Sequence, residues 1–110
     1  MDEKSRDMLN HIQAQNQQIQ AIMIQKQTLL IQSKEIENAL TEIDKGADEI
    51  YKSAGPILIK ASKEQVKAEL EESKDDIDIK IKTLESQEKR LMEKIRESQQ
   101  KLQELPGYGG

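Results

Sequence analysis

The stretch "EIYKSAGPILIK", Glu49 to Lys60, breaks the pattern of the chain on either side of it. Its flanks are rich in Gln, Glu and Lys, whereas this segment holds Gly55-Pro56 between Ile50-Tyr51 and Ile57-Leu58-Ile59. Two apolar, β-prone runs facing each other across Ala54-Gly55-Pro56 predict a β-hairpin. Gly55 is free to take an unusual φ there, and Pro56 fixes the exit of the turn. The connector from Gly46 to Ala61 has sixteen residues, against the roughly 2–8 that join antiparallel helices.

The hairpin cannot satisfy itself. Side chains alternate across a strand, so Ile57 and Ile59 point one way while Leu58 and Lys60 point the other. An isolated two-stranded hairpin is marginal in water, and its open edges can template further pairing. Helices leaving one end cannot cover both faces. Ile50, Tyr51, Gly55, Pro56, Ile57, Leu58 and Ile59 therefore read as an oligomerisation hairpin, completed by other subunits in a shared sheet or barrel.

On each side lies a long helix. Stepping alternately by four and three from Met8 reaches Ile12, Gln15, Ile19, Ile22, Lys26, Leu29, Ser33, Ile36, Leu40 and Ile43. That spacing is the 3.5-residue period of a coiled-coil seam. Gly46, after Lys45, is placed to end this helix as a C-cap. The second seam reads Val66, Leu70, Ser73, Ile77, Ile81, Leu84, Glu88, Leu91, Ile95, Ser98, Leu102 and Leu105. Two steps of four meet at Ile77, a stutter that locally unwinds a supercoil. Ser62 with Gln65 resembles a capping box, and Pro106-Gly107 stops the helix. The expected class is mainly α: a long antiparallel two-helix coiled coil with a central, barrel-forming β-hairpin. The expected organisation is one domain over 1–105, with helices over about 4–45 and 62–105, a hairpin over about 47–61, and a disordered tail over 106–110.

Composition narrows the function. The 110 residues include no Cys, Phe or Trp, about a third are apolar and a third charged, and the net charge is −4. So few aromatics cannot fill a broad globular core. The lack of Cys excludes disulfides and thiolate zinc sites. No segment reads as a signal peptide, and none reaches the ~18 apolar residues of a membrane span. An acidic chain without a basic stripe is a poor nucleic-acid binder. There is no nucleophile–base pair and no phosphate loop, so neither an enzyme nor a cofactor is expected.

Individual residues support modest readings. His11 has no acidic cluster beside it and reads as solvated. Asp75, Asp76 and Asp78 diverge around a helix and make a poor calcium site, and Glu71, Glu72 and Lys74 read as surface. From Met8 to Ser33 the only formal charge is Lys26, and Leu9, Met23, Ile24, Leu30 and Ile31 lie off the seam. Within it, the Gln-rich stretch from Gln13 to Gln32 either widens a binding surface or simply tolerates both helix and water.

The run "EIYKSAGPILIKASKEQVKAELEE", followed by "IKIKTLESQEKRLMEKI" on a charged helix, resembles the prefoldin β subunit of archaeal type. The resemblance spans nearly the whole chain, and a single hairpin marks the β rather than the α type. It implies a cytoplasmic, ATP-independent holdase in which two α and four β subunits join through hairpins into β-barrels. Such assemblies grip unfolded clients at coiled-coil tips and pass them to a group II chaperonin. No nucleic acid and no membrane is involved. The matching tip positions are Met8, Leu9 and Ile12 on the first helix and Leu102 and Leu105 on the second. Met8 and Leu9 read either as client contacts or as the last contacts of the seam. For Ile12 and Leu102, seam packing comes first and client contact at fraying ends second. The other function class open to this sequence is a structural coiled-coil spacer or adaptor that oligomerises through the hairpin and binds one folded partner.

Overall fold

The computed structural model describes residues 2–46 and 48–107. Four elements follow in order: α1 (Glu3–Asp44), β1 (Ile50–Ala54), β2 (Ile57–Ala61) and α2 (Lys63–Glu104). The protein is thus mainly helical, with one antiparallel two-stranded sheet between two long helices. Ala47, where the hairpin was expected to begin, and 108–110, most of the expected tail, lie outside the described residues.

Each helix end has a local cause. The Asp2 carboxylate accepts the Ser5 amide at 2.8 Å, and the Asp2 carbonyl accepts the Arg6 amide at 3.1 Å. Asp2 is therefore the N-cap of α1. At the other end Gly46 takes φ 97 and its amide returns to the Ile43 carbonyl at 3.2 Å, the glycine stop expected of that position. Ser62 caps α2: its hydroxyl accepts the Gln65 amide at 3.4 Å and donates to the Glu64 carboxylate at 3.2 Å. Gly107, with φ 80, follows Pro106 in the turn after α2.

In the hairpin, Ile50 pairs with Ala61, Tyr51 with Lys60, Lys52 with Ile59, Ser53 with Leu58 and Ala54 with Ile57. This register leaves Gly55-Pro56 as a two-residue loop. Gly55 has φ 61, and no residue other than glycine has a positive φ among those described. A type I′ turn needs positive φ at both central positions, which Pro56 forbids, so the turn is type II′.

The chain divides into two compact units. One comprises Thr28–Ile81, with the hairpin and the helical segments beside it. There Ser33 donates to Asp78 at 3.4 Å, Lys74 pairs with Glu37 at 3.6 Å, and Lys67 with Asp44 at 3.0 Å. Numbers rise along α1 as they fall along α2, so the pairing is antiparallel. Leu29, Ser33, Ile36, Leu40 and Ile43 are all covered, as the seam requires.

One seam position is corrected. Ser73 is exposed, and Lys74, expected at the surface, is half-buried. The covered line is Val66, Leu70, Lys74, Ile77 and Ile81, so the two steps of four meet at Leu70 rather than Ile77. Lysine can lie along a seam because its stem is apolar while its ammonium reaches out to acids; here it reaches Glu37 and Asp78. The hydrogen bond to Asp78, with that carboxylate's charge, holds the Lys74 ammonium above its usual pKa.

The second unit holds the described residues up to Gln27 and from Lys82 onward. Lys26 donates to Glu88 at 3.2 Å. Met8, Ile12, Gln15, Ile19, Ile22 and Lys26 on α1, Leu84, Glu88, Leu91, Ile95, Ser98 and Leu102 on α2, and Leu105 just past its end are all buried or half-buried. Ser5, one step beyond the expected seam, is the most buried of all at 2 % exposure.

Candidate functional site

Two places could meet other molecules, one in each unit. The first is the hairpin. Cross-strand partners share a face, so Ile50, Lys52, Ala54, Ile57, Ile59 and Ala61 lie on one side and Tyr51, Ser53, Leu58 and Lys60 on the other. Ile50 is half-buried, while Ile57, Leu58 and Ile59 are 60, 71 and 50 % exposed. Three consecutive large apolar residues left this uncovered on a two-stranded sheet form a contiguous exposed patch, the kind of surface that marks an interaction site.

Part of the first face does have a neighbour. Lys52 donates to Glu69 of α2 at 2.8 Å, and a groove lined by Lys52, Ile59, Ala61, Val66 and Glu69 runs between the hairpin and the start of α2. The ion pair links the sheet to the helix. Neither Lys52 nor Glu69 stands out in the sequence as such a tether, since they are seventeen positions apart. On the opposite face, the Tyr51 hydroxyl donates to Glu49 at 2.8 Å, and that bond raises the pKa of the phenol. Tyr51 thus remains a neutral donor under physiological conditions.

The second place is the end of the coiled coil where α1 begins and α2 finishes. Leu9, Ile12 and Leu102 come together around one groove with Gln99 and Gln103. A second groove follows, lined by Asn16, Ile19, Met92, Ile95, Arg96 and Gln99. Met8 and Leu105, the outermost expected seam positions at this end, are half-buried. Ile12 and Leu102 are only 7 and 5 % exposed. Both therefore pack in the seam, in line with the first of the two readings open for them. Gln99 and Gln103, uncharged groups rimming the grooves, were not singled out by sequence reasoning, whereas Asn16 lies in the Gln-rich stretch of α1. Their signal is position: each flanks a seam residue by one.

Exposed apolar side chains also occur away from both places, at Met23, Ile24, Leu30 and Ile31 on α1 and at Ile79 on α2. His11 is exposed, and no cluster of His, Cys, Asp or Glu suited to a metal is found among the described residues. No described helix is long and apolar enough to cross a membrane.

A paired-helix scaffold that presents a two-stranded sheet with exposed apolar groups defines a class: a helical-hairpin protein whose candidate binding places are open surfaces. The family follows from comparison. The chain belongs to the prefoldin subunit family, whose model matches residues 6–107. It is 32% identical to the prefoldin beta subunit from Thermococcus strain KS-1, whose crystal structure superposes with a TM-score of 0.85 over 93% of this chain and 91% of that one. The prefoldin beta2 subunit from the same strain shares the fold, with a TM-score of 0.73 and 24% identity over 81% of this chain and 97% of that one. Among curated proteins, none matches significantly. Prefoldins are non-enzymatic chaperones, and chaperone-type function in general comes with membership of the family.

Proposed function

We propose that this chain is the β subunit of an ATP-independent holdase. It assembles with an α subunit, two α with four β, by completing its hairpin in a shared β-barrel. It captures unfolded proteins in the cytoplasm with the coil end that carries Met8, Leu9, Ile12, Leu102 and Leu105, and delivers them to a group II chaperonin. The observation that carries the reading is the uncovered hairpin. Ile57, Leu58 and Ile59 stand half or more in water on a sheet of only two strands, an arrangement that is marginal until further strands are added.

The capture half of the reading is supported by the grooves at the coil end. A fully buried Leu or Met is worth about 1.5–3 kcal/mol, so a few partly covered groups hold a chain loosely. Several subunits acting together raise the affinity through effective concentration, and each weak contact can release without nucleotide hydrolysis.

The test is suppression of aggregation of unrelated denatured proteins, without nucleotide, by the assembled complex. Removing about ten residues from each end is expected to abolish protection and leave assembly intact. Full protection by the truncated complex would rule out capture at the coil end. Binding of one folded partner, with no affinity for denatured chains, would favour the spacer reading.

A further inference from the structure

The Gln15 carboxamide is the least satisfied group in the seam. Its side-chain oxygen is buried without a hydrogen-bond partner, in a residue only 6 % exposed. The register around it is clear. Ile12 and Leu102 share one groove, and Asn16, Ile19 and Ile95 share the next. Gln15 of α1 and Ser98 of α2, both buried, fall between these levels and form the intervening layer. A second small polar residue, Ser5, closes the seam toward its start. The apolar group of Met8, Leu9, Ile12, Leu102 and Leu105 is thus bounded on both sides by polar layers.

We infer that Gln15 is a positioning residue that lets the last turns of the coiled coil open, making Ile12 and Leu102 accessible to a client. The inference rests on the proposed capture of unfolded chains at this end. It resolves a conflict in that reading, because two of the five capture residues are buried when the seam is closed. A buried carbonyl without a partner disfavours the closed state, and opening lets water satisfy it. A layer built from Gln15 and Ser98 also contributes little apolar burial to hold the helices together. The boundary between a unit that opens locally and one that stays shut falls where such contacts are weakest. Beyond this layer the next seam residues, Ile19, Ile22, Leu91 and Ile95, are apolar again. The occupant of the opened end is an extended, uncharged, apolar segment of an unfolded polypeptide. It matches a lining of Leu, Ile, Met and carboxamide side chains in which Arg96 is the single charge.

The experiment compares the complete complex carrying wild-type chain, Gln15→Leu or Ser98→Ala. Backbone amide exchange is measured at the ends of α1 and α2, together with the rate of capture of chemically denatured lysozyme. Each substitution replaces polarity with apolar contact in the seam, and Ser98→Ala adds no bulk that could distort it. Amides on the terminal side of the layer are expected to exchange more slowly, by roughly tenfold for Gln15→Leu, and capture is expected to slow with them. Amides in Thr28–Ile81 and the mass of the complex are expected to stay unchanged. Unchanged exchange, or slowed exchange with unchanged capture, overturns the inference. A Met8→Ser/Leu9→Ser variant, assayed in parallel, separates the two claims. If it captures as well as wild type, capture at this end is wrong and the inference falls with it. If it loses capture while Gln15→Leu does not, only the gating role is wrong.

Discussion

At Gly55 the backbone takes φ 61, and a Cβ added there would meet nothing within 4 Å. A substitution is therefore opposed by backbone conformation alone. Gly55→Ala is expected to destabilise the type II′ turn by about 1–3 kcal/mol, read as a loss of assembly on dilution while the helical signal is retained. Asp2 acts by charge instead. The backbone hydrogen bond from Ser5 is the main reason its carboxyl titrates below the usual 3.8. A folded pKa below the unfolded one stabilises above the unfolded value and loses that stabilisation as pH falls through the folded one. The start of α1 is thus expected to hold at neutral pH, to loosen as pH drops below 3.8, and to be fully uncapped below the lowered value. Amide exchange at Ser5 along a pH series checks this, and Asp2→Ala should show the loosened behaviour at every pH.

The helices pair along an apolar seam that also carries a charged pair matched across it. Lys26 and Glu88 lie 3.2 Å apart with side chains 24 and 20 % exposed. Removing one partner strands the other, so Lys26→Met is expected to destabilise by about 1–3 kcal/mol. Replacing both by Leu is expected to be neutral or stabilising, because the pair must offset its own desolvation. A double-mutant cycle by denaturant unfolding measures both outcomes. The 3.5-residue spacing was readable in the sequence because apolar residues must recur wherever two helices bury a common line. Every position expected on the α1 seam is covered. The stutter in α2 was misplaced because Ser73 and Lys74 are both plausible there, one small and one with an apolar stem. Glu37 and Asp78 decide between them, and neither is adjacent in sequence to Lys74.

For the whole molecule, the expectation is that assembly and capture separate. Ile57→Ser with Ile59→Ser, on one face of the hairpin, is expected to prevent entry into the complex while α1 and α2 remain helical. Native mass measurement with the α subunit, alongside far-ultraviolet circular dichroism, checks it. Unimpaired assembly would mean that this face stays open in the complex. The two places proposed to meet other molecules were legible to different degrees. The hairpin announces itself because a strand-like run between two Gln- and Lys-rich helices has no local partner. At the coil end, Leu9, Ile12 and Leu102 could be named from their positions, but not their unequal burial.

By itself the sequence determined the elements and most of their ends: Gly46, Ser62 and Gly55 act on backbone within a few residues, and heptad spacing marks a buried line however the helices are later arranged. It also determined that the hairpin exposes apolar groups on both faces, since alternation along a strand is covalent geometry. Only the tertiary structure decided that Lys74 rather than Ser73 joins the seam, that Lys52 ties the sheet to α2, and that Gln15 is buried without a partner. Each of these depends on which atoms of a distant segment arrive beside a side chain, and long-range packing alone sets that.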